Sequence, residues 1–286
     1  MKIGVEINPF VNGYHRWGKE RYKKLRAHGY EAMDYGMCDT NSIIYTLPEA
    51  ESDAFLKEEK RLAEEAGIEI SQVHGPWRWP AQDSTPEDRA ERMEKMKKSI
   101  RACSVLGCKN WVVHPIMPCG VDEADQPELA QKTWDLNLEF MSELVKTAKE
   151  YDITICLENM PMLNYSLAKP TDVLRLVKAL NDEHFKICLD TGHVNVFQEK
   201  LPIGDEVRAI GEELRVIHVH DNKVGWDLHL PPYYGTLNWK EFADALKDIG
   251  YHGVFSLEFM PPVRLPDGIF EKMSSLMADI AREVIK

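Results

Sequence analysis

ITICLENM (residues 153–160) is an apolar run that closes on a carboxylate, Glu158, and three later stretches repeat its design. FKICLDTGH (185–193) closes on Asp190, RVIHVHDN (215–222) on His218, and GVFSLEFM (253–260) on Glu258. Each reads as a short buried strand that opens into a loop. Residues at equivalent ends of successive strands converge only where the strands run parallel and curl about a common axis. Three carboxylates and an imidazole gathered in that way are costly to bury unless a cation neutralises them. The pattern therefore points to a divalent metal. Taken singly, each residue is as readily a helix cap or an ion-pair partner; the one-per-strand repetition carries the reading.

The same alternation extends outward to both ends of the chain. KIGVEI (2–7) precedes an amphipathic stretch near 18–28, EAMDYG (31–36) a helix near 51–66, and IEISQVHG (68–75) a long helix near 86–106. NWVVHP (110–115) precedes a helix near 127–150, and the four strands quoted first precede helices near 170–181, 204–213, 238–248 and 270–284. Thr85 with Pro86, Thr171 with Asp172, and Asn238 are the expected helix starts. Glycines in AHGY, EAGIEI, VLGCKN and DIGYHG are expected to end helices in the left-handed conformation. Eight β-then-α units with strands apolar on both faces predict an α/β fold, a single (β/α)8 TIM barrel of parallel strands forming one domain over residues 1–286. A doubly wound open sheet is the alternative, but the Gly-rich phosphate turn expected after its first strand is missing.

The 286 residues suit a barrel of about 250. Composition, 44% hydrophobic and 29% charged, is that of a globular protein, and the net charge of −12 argues against a general grip on nucleic acid. No apolar run approaches a membrane span, and MKIGVEINPF enters a strand directly, so neither membrane insertion nor a signal peptide is expected. The six cysteines form no CxxC pair and read as buried free thiols, which fits a reducing cytoplasm.

Two loops after early strands are aromatic. The first carries Phe10, Tyr14, His15 and Trp17, the third Pro76, Trp77, Trp79 and Pro80. On a barrel these belong to the catalytic face. Flat walls there suit a sugar ring or other polyol. They suit a lid or a contact in a homo-oligomer equally well.

QVHGPW, WVVHP, CLENM, CLDTGH, HVHDN, HLPP followed by GTLNW, and SLEF together resemble the xylose isomerase-like TIM barrels, over essentially the whole chain. That superfamily includes sugar isomerases and epimerases, inosose dehydratases and metal-dependent AP endonucleases. The resemblance implies Glu158, Asp190, His218 and Glu258 as metal ligands, with Mn²⁺ the expected ion and Mg²⁺, Co²⁺ or Zn²⁺ compatible. His220 is the rival on the seventh strand, because residues two apart share a face. The family pattern H-x-x-D selects His218 and leaves Asp221 to support it. His74, His114, His193 and His229 fall at family site positions. The resemblance implies substrate contacts for them, while in the AP endonucleases similar positions hold further zinc ions; Trp77 and Trp17, from the aromatic loops, are expected to join the substrate contacts as flat walls. The chain departs from the familiar ketose 3-epimerases in lacking an Arg after the strand 7 ligand (Asn222, Lys223, Val224, Gly225) and in having Asn164 where a second Glu is expected. A ketohexose is therefore not assumed.

The chemistry that fits is a metal-dependent isomerase or epimerase acting on a carbohydrate or polyol. Glu158 and Glu258 are expected to move a proton next to a carbonyl through a metal-stabilised enediolate. A lyase or dehydratase on a keto-sugar or inosose would use the same site. An AP endonuclease-like phosphodiesterase and a non-catalytic polyol-binding barrel are the competing classes, the first opposed by the acidic charge.

Overall fold

Eight apolar segments become the strands of one parallel sheet: β1 (Ile3–Ile7), β2 (Ala32–Gly36), β3 (Glu69–His74), β4 (Asn110–Val113), β5 (Thr154–Glu158), β6 (Phe185–Asp190), β7 (Leu214–His218) and β8 (Phe255–Leu257). The computed structural model describes residues 1–8, 13–77, 83–162, 164–197, 201–259, 261–262 and 264–286. Phe10, Trp79 and Pro80, named above as loop aromatics, lie outside them. Strands pair in the order β7-β6-β5-β4-β3-β2-β1-β8, so the sheet curls until its edges meet. The edges meet without a ladder. Val219, just past β7, lies beside Leu257: its N–H donates to Ser256 O (2.8 Å), and Glu258 N–H donates to Val219 O (2.9 Å). The barrel is thus nearly closed, and it is joined at the end where the strands stop.

Helices alternate with the strands: α1 (Arg21–Ala27), α2 (Ile43–Thr46), α3 (Glu49–Ala66), α4 (Pro86–Leu106), α5 (Pro127–Glu150), α6 (Pro170–Leu180), α7 (Thr191–Asn195), α8 (Ile203–Ile210), α9 (Trp239–Asp248) and α10 (Asp267–Val284). Thr85 caps α4 in a reciprocal pair with Asp88, and Asn238 accepts from Glu241 N–H at the start of α9, as expected. Thr171 and Asp172 do not cap. They lie inside α6, whose N-cap is Lys169, and Thr171 N–H donates to Glu206 instead (3.1 Å). Gly67 (φ 70°) and Gly107 (φ 76°) end α3 and α4 in the left-handed conformation. The one-turn helices α2 and α7, and a 3-10 stretch over Gly13–Glu20, are additions that periodicity did not signal. None of the helices is long and apolar enough to cross a membrane among the described residues.

The first loop is not the aromatic wall it was expected to be. Tyr14 and Trp17 are buried against Phe270 of α10, with ring centroids 5.3–5.5 Å apart edge to face. The amphipathic pattern of this segment faces the helical layer, and its rings went with it.

Inside the barrel the pleat sorts residues two apart into layers. Val112, Cys156, Cys188 and Val216 form a buried apolar cluster of their own. Two residues further along the same strands stand His114, Glu158, Asp190 and His218, which are also buried. The register keeps Val112 beside Cys156, Cys188 beside Val216 and Asp190 beside His218, while between β5 and β6 it steps by two residues and pairs Glu158 with Cys188.

Candidate metal centre

Glu158, Asp190 and His218 are the last residues of β5, β6 and β7, and Glu258 is the first after β8. Each offers one ligand atom to a set whose members all lie within 4.8 Å of one another. His218 Nδ1 is 2.8 Å from Glu258 Oε2 and 3.3 Å from Glu158 Oε2. None of these three buried atoms has a hydrogen-bond partner. Oxygen and nitrogen ligands at about 2.0–2.2 Å from one ion stand about 3.0–3.4 Å from each other. The spacing and the lack of partners both fit a cation in the middle, so the donor set passes the test for a divalent metal.

The other face of the His218 ring edge is also fixed. Nε2 lies 2.8 Å from Asp34 Oδ2, and Gln72 donates to the same oxygen at 2.9 Å. A carboxylate behind a ligating imidazole sets its tautomer and aims its free nitrogen. Asp34 and Gln72 were not foreseen. Their signal in the sequence is a polar residue interrupting a buried strand, as in EAMDYG and IEISQVHG. Asp221, expected to support the strand 7 ligand, does something else. Its carboxylate accepts from Gly235 N–H, Leu237 N–H and the Trp239 indole (3.0–3.1 Å) and pins the loop between β7 and α9.

His218 and His220 take different places. His220 Nε2 is 3.0 Å from the Asp190 carboxylate, and its ring stacks on His229 at 4.1 Å. It stands behind Asp190, while His218 faces both glutamates. The glycine of CLDTGH makes room for this arrangement: a Cβ on Gly192 would come within 1.9 Å of the His220 ring.

The remaining histidines line a cavity of about 770 Å³ above this floor. His74 Nδ1 donates to Gly75 O (2.9 Å), His193 Nδ1 to Asn159 O (2.8 Å) and His229 Nδ1 to Glu258 O (2.9 Å). In each, Nε2 faces a carboxylate. That of His74 lies 3.5 Å from Glu158 Oε2, and His114 Nε2 is 3.2 Å from the same oxygen. Those of His193 and His229 are each 3.5 Å from Asp227 Oδ2. His74, His114 and Glu158 form one further set able to hold an ion, and His193, His220, Asp227 and His229 another. Trp77 lines the same cavity, its ring edge-on to His114 at 4.4 Å. Trp17, expected among the substrate contacts, is packed in the helical layer and does not line the cavity.

Charges at the floor hold one another. Burial would raise the Glu158 carboxyl, but the imidazoles of His218 and His114 outweigh it and hold it well below its ordinary value. Burial works against a charged His218, yet the carboxylates of Glu258 and Glu158 hold it well above the usual imidazole range. A proton on the His218 ring thus sits where a cation would otherwise neutralise the carboxylates, and an ion held there would displace it. Glu6, from β1, also lines the cavity; burial, Glu258 and Asp34 push it up to about 7.

The fold and site define a parallel (β/α)8 barrel whose strand ends converge on carboxylates and imidazoles. A family model described as the xylose isomerase-like TIM barrel matches residues 22–277, and the chain belongs to that family. An uncharacterized protein of Methanocaldococcus jannaschii is 31% identical over 192 residues, covering 65% of this chain and 63% of that protein, less than two thirds of its length. A D-psicose 3-epimerase of Enterocloster bolteae is 25% identical over 267 residues, covering 90% of this chain and 82% of that one. Among solved structures, an IolI protein with a bound zinc atom superimposes with a TM-score of 0.75 at 18% identity, covering 100% of this chain and 98% of the other. That likeness bears on the fold.

Proposed function

We propose that the chain is a divalent-metal-dependent sugar isomerase or epimerase that moves a proton next to a carbonyl. The observation that carries it is the convergence of Glu158 Oε2, Glu258 Oε2 and His218 Nδ1, without hydrogen bonds, at the floor of a cavity large enough for a substrate. The epimerase among the relatives supports it. Glu158, Asp190, His218 and Glu258 hold the metal in this reading, with Mn²⁺ the ion expected. When bound, the ion supplies Lewis acidity that polarises a carbonyl and stabilises negative charge on its oxygen. Glu158 and Glu258 come from strands three apart and reach a bound hydroxy-ketone from different sides. Each keeps an oxygen to take or give a proton. His74, His193 and His229 turn Nε2 toward Glu158 or Asp227, whose charges raise these imidazoles, and would donate hydrogen bonds to substrate hydroxyls. Proton return to the opposite face inverts a carbon, return to the neighbouring carbon moves the carbonyl, and loss of a β-substituent makes the same site a lyase.

The test is proton exchange. Metal-loaded protein incubated with ketoses and keto-sugars in D2O should place deuterium on the carbon next to the carbonyl of the true substrate. Glu158→Gln and Glu258→Gln should each lower that rate by about 10²–10⁴ or more. Hydrogen migrating directly between carbons, with no solvent exchange and no loss in either variant, would sink the acid–base assignment.

One observation favours a second reading, a metal-dependent phosphodiesterase. The sets around His74 and around Asp227 flank the central four, as a multi-metal site would require. Against it stands the net charge of −12, which repels a polyanion. Incision of an abasic oligonucleotide, abolished by Glu258→Gln, would replace the isomerase with the nuclease.

A further inference from the structure

β5 and β6 do not end level with each other. Glu158, the last residue of β5, pairs with Cys188, and β6 runs two residues beyond that rung before it reaches Asp190. By then the backbone of β5 has turned away: Met160 N–H donates into its own loop, to Ala168 O (2.8 Å). One side chain makes up the missing rung. Asp190 N–H donates to Asn159 Oδ1 (2.8 Å), and Asn159 Nδ2 donates to Asp190 O (3.1 Å). The carboxamide acts here as a peptide group would, with one acceptor and one donor aimed at a single residue. Asn159 and Asp190 are both fully buried, so without the amide the Asp190 N–H would lose its partner in the interior.

The backbone of Asn159 is engaged as well. Its C=O accepts from His193 Nδ1 (2.8 Å), and His193 N–H donates to Asp190 Oδ1 (2.7 Å). One residue thus joins Glu158, its neighbour in sequence, to Asp190 and to the imidazole beside them. The next seam repeats the device. Thr191 follows Asp190 directly, and its Oγ1 donates to His220 O (2.8 Å) and accepts from His220 N–H (3.1 Å). In both cases the residue after a candidate ligand carries a short polar side chain that grips the backbone of the next strand.

Resting on the metal centre of the isomerase reading, we propose that Asn159 is a positioning residue whose carboxamide sets the spacing of Glu158 and Asp190. The ligand atoms of the central set lie within 4.8 Å of one another, and a metal accepts ligand distances only within about ±0.2 Å. Two hydrogen bonds from the neighbour of one ligand to the backbone of the other are a short enough linkage to hold that tolerance. Without them the last residues of β6 would be tied to β7 alone, through the pairing of Asp190 with His218.

The molecule supplies its own control. Asn137 of α5 makes the same clasp on Ile116, accepting from its N–H (2.8 Å) and donating to its O (3.0 Å), and it is equally buried, but Ile116 carries no ligand atom. Asn159→Leu and Asn137→Leu each keep the size of the side chain and remove the clasp. Both should lower the urea midpoint of the metal-free protein. Only Asn159→Leu should weaken Mn²⁺ binding, by about 10–100-fold in a calorimetric titration, the range for groups that hold a metal ligand in place. Only Asn159→Leu should shift the visible absorption of the Co²⁺-loaded protein, which reports the geometry of the ligands. Where Asn159→Leu fails to fold, Asn159→Ala leaves room for water at the Asp190 N–H and should give the same two changes. Mn²⁺ affinity within twofold of the parent, or an equal loss in Asn137→Leu, would overturn the positioning role. Solvent deuterium exchange into the ketoses and keto-sugars, followed with the parent protein, separates the two ideas. Weakened binding in Asn159→Leu with no exchange by the parent upholds the clasp and counts against the isomerase. Exchange by the parent with unchanged affinity in Asn159→Leu does the reverse, and a parent protein that takes up no divalent ion overturns both.

Discussion

β4, β5, β6 and β7 each place two residues in the barrel interior, one pleat step apart, and the two have opposite duties. The lower layer, Val112, Cys156, Cys188 and Val216, is apolar and fully packed. The upper layer, His114, Glu158, Asp190 and His218, is equally buried but polar, and His114 Nδ1, Glu158 Oε2 and His218 Nδ1 lack hydrogen-bond partners. Only about 6.6 Å of strand separates them. Burial is therefore not what distinguishes scaffold from site. The lower layer is complete as it stands. The upper layer is costly as protein alone and becomes reasonable once a cation fills its centre.

Breaking the upper layer should give the largest effect. Asp190→Asn removes a central carboxylate and should cut bound metal, measured by elemental analysis, by more than about 100-fold in affinity, beyond what loss of a supporting group costs. Undiminished occupancy would refute the ligand set. Asp34→Asn leaves the ligands in place and releases only the His218 ring, so affinity should fall by about 10–100-fold. Calorimetric titration with Mn²⁺ reads it, and an unchanged Kd would show that His218 is aimed by other means. In the lower layer the outcomes should invert. Val216→Ala should cost about 2 kcal/mol in urea unfolding, from lost burial and the cavity left behind, while metal affinity stays put. Coupled loss of both would mean that the layers are one unit. The smallest effect belongs to Cys188, which sits where the layers touch and could join Glu158 and His218 as a ligand. Burial pushes its thiol up to about 12, so at neutral pH it is a packing group and not a thiolate. Cys188→Ala should leave metal affinity within twofold.

The strand order and the four central residues were legible because repetition makes them so: an apolar run closing on a ligand-type side chain, four times over, has few geometric solutions. Asp34, Gln72 and Glu6 were not, because a single polar residue within a strand looks like any half-buried strand until the barrel curls and turns that face inward. Trp17 shows the converse. Loop position suggested a pocket wall, but a segment with its own amphipathic period buried the ring under α10. Asp221 was placed in the right neighbourhood and given the wrong task. The H-x-x-D pattern located it near His218, whereas residues three apart along an extended chain point to opposite faces. The choice of cap at α6 failed for a similar reason, since Pro170 fixed the helix start and a side chain from a neighbouring helix met Thr171 N–H.

The incomplete join between β7 and β8 has a mechanical meaning. Every other pair of neighbouring strands shares a ladder of at least two registered residue pairs, whereas here the described backbone contacts are Val219 with Ser256 and Glu258. His218 and Glu258 stand on opposite banks of that join. A shared ion gripped by both would act as a fastener across the seam, turning a curled sheet into a hoop. Loading the site and finishing the architecture would then be one event.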